Sequence, residues 1–221
     1  MPNYKLQLEL LSSTTFGRGD GVAGLVDREV EHDAYGLPFL RGRTLKGLLA
    51  EECANILFAL SQQGKVEKWR NVGYTLFGNP GSVVGDLGQM RVSDARLPER
   101  LRESVKIAVS DLKTLTPDEV LESLTAIRRQ TSVNVHGAPE HGSLRSMRVI
   151  LPGTIFEAWL EFEQTPKEQN LALLAACVLA WRRAGTGRNR GRGKLHVSLH
   201  GPDGGEITET YYRIFAQEVT R

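Results

Sequence analysis

Two stretches of strict alternation, one near the start of the chain and one far along it, decide what this sequence can fold into. Leu6, Leu8 and Leu10 alternate with Lys5, Gln7 and Glu9, and Phe156, Ala158, Leu160 and Phe162 alternate with Glu157, Trp159, Glu161 and Glu163. Successive strand residues point to opposite faces, so each stretch predicts a half-buried strand with one apolar side. A helical pattern succeeds each of them. After Thr44, a candidate N-cap, Leu45, Leu48, Leu49, Cys53, Ile56, Leu57 and Leu60 recur at helical spacing. From about Pro166 to Arg183 the residues Leu171, Leu174, Cys177, Val178 and Trp181 share one predicted helix face, and Gly185 lies just beyond as a stop signal. A further alternating run, Leu195 to Leu199, follows, and Met90 to Asp94 reads as a short strand. With one or two weak edge strands the order is βαββαβ, which is an α+β, ferredoxin-like (RRM-like) sheet covered by two helices on one face. That architecture serves many functions and decides none of them.

Between the second predicted helix and the last strand, Ala184 to Lys194 packs four glycines and four cations into eleven residues. Glycine lets a backbone approach a ligand closely, and arginine donates bidentate hydrogen bonds to phosphate, so this segment reads as a loop for a polyanion. A second basic cluster, Arg41, Arg43 and Lys46, surrounds Gly42 and Gly47. The net charge of the 221 residues is only +2, so a nucleic-acid surface has to be a local concentration of charge.

Several classes are disfavoured. Cys53 and Cys177 sit in apolar helical patterns and read as core residues of a reducing compartment, and no HxH, HExxH or CxxC spacing suggests a structural metal. The first residues lack an apolar leader pattern, and the greasiest stretch, Leu171 to Trp181, is too short to span a bilayer, so the cytoplasm is the expected location. Residues Ser12 to Pro38 form a long glycine-containing loop of functional character. The stretch from about 64 to 128 reads as an insertion. Residues 129–147 hold Asn134, Gly137, Pro139 and Gly142 between two short arms, which predicts a projecting hairpin.

Taken in order, Leu37 to Gly47, Leu76-Phe77-Gly78, Arg91 to Ala95, the 129–147 hairpin, Val149 to Glu157 and the glycine-rich loop resemble the RAMP superfamily of CRISPR proteins. Within it, the chain is most similar to the repeated backbone subunit of type III effector complexes. The resemblance implies a single domain over residues 1–221, with a core at about 4–60 and 148–221, an insertion at 64–128 and the hairpin, called the thumb, at 129–147. It implies a guide RNA bound along its phosphate backbone by Arg41, Arg43, Thr44, Lys46, Gly185, Gly187, Arg188, Asn189, Gly191, Arg190, Arg192 and Lys194. Val133, His136, His141, Leu144 and Met147 would meet the target RNA on the thumb. Further implied partners are the complementary target RNA, neighbouring copies of the chain and other RAMP subunits. Counting back from Leu37-Pro38 places Asp27 at the position that cuts target RNA in active members, with Mg2+ or Mn2+ as helper, by attack of the adjacent ribose 2′-hydroxyl. His32 and Asp33 compete with it in the same loop. One departure is Arg41-Gly42-Arg43-Thr44, where the family usually has Pro-Gly-Ser-Ser. A non-catalytic scaffold or cap of the same complex, and a guide-processing endoribonuclease, remain alternative functions.

Overall fold

In the computed structural model, which describes residues 4–64, 66–79, 88–131, 137–138, 140 and 142–220, β1 (Tyr4–Leu10) is an inner strand of a four-stranded antiparallel sheet. It pairs with β5 (Ile155–Phe162) on one side and β6 (Leu195–His200) on the other, and β2 (Met90–Val92) lies beyond β5. The register explains the alternation. Leu6 stands opposite Ala158 and Leu199, and Leu8 opposite Phe156 and Val197, so the apolar rows of three strands share one buried face. Each fully buried leucine of that row contributes on the order of 1.5–3 kcal/mol. With α1 (Gly42–Ser61) between β1 and β2 and α5 (Glu168–Ala180) between β5 and β6, the strand order β2-β5-β1-β6 is the expected βαββαβ arrangement.

The helical layer departs from expectation in three respects. First, α1 begins at Gly42, with Arg41 as its N-cap and no side-chain cap from that residue, so Thr44 lies inside the first turn and caps nothing. Gly42 Nα–H donates to Asp94 Oδ1 at 2.9 Å instead, and a side chain at Gly42 would collide with the carbonyl of Val92. Second, α5 has no polar face: every residue from Asn170 to Val178 is buried. It packs on α1, on the Val66–Phe77 helix, on β6 and on α6 (Thr208–Thr220), a helix that the sequence reading did not foresee. Third, α2 (Val66–Phe77) belongs to the core, since Val66, Trp69 and Leu76 are buried and the Trp69 ring meets Phe215 of α6 edge-on at 4.7 Å. The stretch expected as an insertion at about 64–128 thus opens with a helix of the core. It holds α3 (Glu99–Lys106), which runs on into a π-helical turn at Ile107–Asp111, and α4 (Pro117–Leu124), closed at its start by a Thr116–Glu119 capping box.

The hairpin is longer at its base than predicted. β3 (Thr125–Gln130) pairs with β4 (Arg145–Ile150) from Thr125 opposite Ile150 to Gln130 opposite Arg145, and Met147, Val149 and Ile150 are buried. Among the described residues no helix is long and apolar enough to cross a membrane.

Candidate nucleic-acid interface

The glycine-rich loop is built by hydrogen bonds to the segment after β1. Ala184 and Gly193 close it (Ala184 N to Gly193 O, 2.9 Å), and the Gly193 and Thr186 amides donate to the Ser13 and Thr15 carbonyls. All of its glycines have positive φ, but two have an internal reason to lack a side chain. A Cβ at Gly185 would stand 2.6 Å from the Thr15 carbonyl oxygen, and one at Gly193 would overlap the Ala184 carbonyl. Close packing within the protein, rather than approach to a ligand, explains these two. Gly191 is the glycine of this loop whose Cβ direction is open.

Opposite the loop stands a wall that joins residues more than a hundred positions apart. Arg28 bridges Met147 on one side of β4, and Arg128 of β3 pairs with Met147 on the other. Just before Arg28, the Asp27 amide donates to the Ser146 carbonyl at 2.9 Å, while Asp27 Oδ2 accepts from the Ser146 amide at 2.7 Å and from its hydroxyl at 3.3 Å. Just after it, Glu29 takes two hydrogen bonds from Arg148 Nε at 2.9 and 3.1 Å, and both side chains are nearly inaccessible (2% and 7%). Thr15 Oγ1 donates to the Arg148 carbonyl, which ties the same wall to the segment under the glycine-rich loop.

Between loop and wall lies an open cleft of about 720 Å³, lined by Asp27, Arg28, Gln130, Arg145, Ser146 and Met147 on one side and by Arg188, Asn189, Arg190 and Arg192 on the other. Arg192 crosses it, reaching Met147 Sδ and Gln130 Oε1. Burial, and then the charges of Arg128, Arg190 and Arg28, push the Arg192 guanidinium below its ordinary value, which marks a concentration of unbalanced positive charge. Asp27 is the one acid among the described residues that line the cleft. The Ser146 amide, then its hydroxyl and the Arg145 charge, hold its carboxyl below the usual carboxylate range, so it is ionised at neutral pH. The described residues do not fit a resident divalent ion. They hold no group of three or more His, Cys, Asp or Glu side chains, and Asp27 is one carboxylate, already hydrogen-bonded, among guanidinium groups.

The cluster of Arg41, Arg43 and Lys46 faces elsewhere. A second depression, about 630 Å³, lies between the start of α1 and the 12–40 segment and is lined by Arg18, Glu31, Phe39, Arg41, Thr44, Glu51 and Arg188. Its arginines are already paired. Arg188 forms a two-pronged bridge to Glu51 (2.8 and 3.0 Å), Arg41 bonds Glu31 at 2.7 Å and Arg18 bonds Asp20 at 2.6 Å. These partners hold all three guanidinium groups above their ordinary values. The N-terminus of α1 has Asp94 on its first amide. Lys46 Nζ donates to the Met90 carbonyl at 2.8 Å, and burial lowers its ammonium pKa. Arg43 and Thr44 are exposed on the first turn.

Of the remaining candidates, Asp33 is a turn residue whose Oδ1 accepts from the Tyr35 and Leu37 amides, and His32 Nδ1 lies 3.1 Å from the Asp33 carbonyl oxygen. Both lie outside the cleft. Lys194 is exposed, its backbone bound to Leu11 and Ser12, and it lines neither depression. Leu144 is exposed, as a thumb contact would be, whereas Met147 is buried under Arg192 and belongs to the wall. Val133, His136 and His141 lie outside the described residues. Sequence reasoning missed Arg28, Arg128, Arg145 and Ser146. The neighbourhood of Arg28 to Asp27 and the Arg128-Arg129 pair on the hairpin arm were the available signals.

Fold and cleft together define a ferredoxin-like α+β protein with a basic glycine-rich loop facing the base of an inserted hairpin. The chain belongs to the RAMP superfamily, whose family model matches residues 7–196. No curated protein matches it by sequence. Among solved structures it is similar to a chain of the type III-B Cmr-beta complex bound to cognate target RNA, with a TM-score of 0.62 at 14% identity, covering 89% of this chain and 96% of that one. The same comparison with the apo Cmr-beta complex gives a TM-score of 0.61 at 14% identity and the same coverage. At that identity the likeness speaks for the fold.

Proposed function

We propose that this chain is a backbone subunit of a type III CRISPR interference complex, which binds guide RNA along its phosphates and cuts the complementary target RNA at Asp27. Superfamily membership and the fold shared with Cmr-beta chains support the class. The observation that carries the finer reading is the cleft itself: an ionised, exposed carboxylate faces a loop of arginines across a space open to an RNA backbone. In the cleavage step the target's 2′-hydroxyl oxygen attacks the adjacent phosphorus and the bond from phosphorus to the 5′-oxygen breaks. The products are a 2′,3′-cyclic phosphate and a 5′-hydroxyl that takes its proton from water. A carboxylate held below its usual range is a weak base. Asp27 therefore orients the 2′-hydroxyl by accepting its hydrogen bond and takes the proton late, while the arginines balance the charge on the phosphoryl oxygens. The described residues form no seat for Mg2+ or Mn2+; an ion used in cleavage would arrive with RNA phosphates as its main ligands. Neighbouring copies of the chain and other RAMP subunits complete the assembly along the guide.

A second reading, the non-catalytic scaffold, draws on one observation: Asp27 Oδ2 already clamps Ser146. Asp27→Asn separates the two. Its amide oxygen still accepts from Ser146, so the loop stays docked, but the charge and basicity are gone. In guide-loaded complexes with matched target and magnesium or manganese, Asp27→Asn should lower the single-turnover rate by roughly 10³-fold or more with target affinity within about twofold. In the parent complex the rate should show no loss from carboxylate protonation between about pH 5 and 8, because the depressed group titrates below that window. Full cleavage by Asp27→Asn removes the catalytic role from Asp27 and favours the scaffold.

A further inference from the structure

Resting on the reading above, we infer that Arg28 and Arg128, with Arg192 shared from the guide-binding loop, form a seat for a single phosphodiester of the target strand, beside Asp27. Three separate segments supply the seat. Arg28 comes from the loop after β1, Arg128 from β3 and Arg192 from the glycine-rich loop, and Met147 organises them. Residues directly opposite in paired strands present their side chains to the same side, so the bridges from Met147 to Arg28 and to Arg128 place both arginines on the side that Met147 faces. Arg192 closes over the sulfur from the opposite wall of the cleft.

Charge identifies the occupant. Among the described residues no carboxylate lies within ion-pair distance of Arg28, Arg128 or Arg192, in contrast to Arg188 and Arg41, and Arg190 adds to the same repulsion. Holding like charges together without a counter-ion is unfavourable, and one phosphate group with two non-bridging oxygens relieves it. A carboxylate ligand would suit the charge as well, but an open cleft of about 720 Å³ shared with the glycine-rich loop suits a chain of phosphates. Position assigns the strand. Arg28 and Arg128 lie at the hairpin base on the Asp27 wall, so the phosphate they hold belongs to the strand that is cut. Arg28 and Arg128 thereby become positioning and charge-neutralising residues of the cleavage step.

The test uses guide-loaded complexes and a series of target RNAs in which one linkage at a time is a neutral methylphosphonate. In the parent complex, one linkage per subunit repeat should weaken target binding by about tenfold, the effect of removing one charge-assisted contact. In Arg28→Ala or Arg128→Ala complexes the same linkage should cost less than about twofold, because the partner is already gone. Either variant should lower the single-turnover cleavage rate by about 10²-fold, keep guide affinity within about twofold, and Arg28→Lys should recover part of the target binding. An unchanged melting temperature separates these effects from misfolding. The inference is overturned if the methylphosphonate effect is the same in variants and parent, or if guide affinity falls as far as target affinity. Should the parent complex bind target without cutting it, the Asp27 assignment fails alone, since the methylphosphonate cycle reads the seat without cleavage.

Discussion

The glycine-rich loop divides two basic regions that look alike in the sequence and differ in the fold. On the α1 side, Arg18, Arg41 and Arg188 each meet a carboxylate, and the helix N-terminus is closed by Asp94. On the hairpin side, Arg28, Arg128, Arg190 and Arg192 crowd together without one among the described residues, and Asp27 stands at the edge. A count of arginines treats both as polyanion surface. What differs is whether the protein has already supplied the counter-charge: the first region spends its arginines on its own loops, and the second holds positive charge that no described carboxylate balances.

The largest effect should come from removing the post on which the hairpin-side region rests. Glu29 and Arg148 are a buried pair, and deleting one partner strands the other charge, at a cost of about 3–5 kcal/mol. Arg148→Met should lower the melting temperature by roughly 6–20 °C and open the cleft wall, whereas the exposed pair on the other side, probed by Arg41→Ala, should leave it nearly unchanged. Differential scanning calorimetry of both variants decides it. Equal shifts would mean that the two regions are held alike and that the comparison is wrong.

Why the sequence revealed one part and hid the other follows from what each depends on. The rows Leu6/Leu8/Leu10 and Phe156/Ala158/Leu160/Phe162 are local patterns of period two, so the sheet and its order were legible. Helix α5 was legible as a helix but not as a fully buried one, because burial of its outer face is conferred by α6 and α2. The site was half legible. Asp27 and the arginines of the glycine-rich loop could be named from motif order, yet the pairing of Asp27 with Ser146, and of Met147 with both Arg28 and Arg128, is a matter of strand register between distant segments. Asp94 acts as a helix cap from another element, so nothing near Thr44 could betray that the local cap was unnecessary. Glycines 185 and 193 carried a false signal, since tight internal packing asks for the same residue as a ligand does.

A smaller effect than that of the buried pair, and a sharper one, concerns RNA affinity. Arg190→Ala with Arg192→Ala removes two donors that no described carboxylate neutralises, and it should weaken binding of single-stranded guide RNA about 10- to 100-fold while reducing the salt slope by about two. Arg41→Ala, which gives up a guanidinium already committed to Glu31, should cost less than about threefold. Filter binding across a range of salt concentrations reads both numbers. If Arg41→Ala flattens the salt slope as much per residue as the double variant, its ion pair opens freely and the α1 side is part of the RNA track after all.

The smallest expected effect has the opposite sign, and for that reason it probes the comparison most directly. Arg188 stands at the boundary, lining both depressions, and Glu51 holds it by a two-pronged bridge whose side chains are 37% and 47% exposed. A pair in that setting is worth about 0–1 kcal/mol, so a phosphate can displace the glutamate at little cost but must still displace it. Glu51→Gln keeps the shape and a neutral acceptor while releasing the positive charge. Affinity for guide RNA should rise by about two- to fivefold, most visibly at low salt, because the screening length shrinks as ions are added. Glu31→Gln, acting on Arg41 farther from the cleft, should raise affinity less. The contrast between the two variants measures how far toward α1 the RNA path extends. A Glu51→Gln variant that binds guide RNA no better than the parent at low salt would show that Arg188 never leaves its glutamate, and would confine the RNA path to Arg190, Arg192 and the hairpin wall.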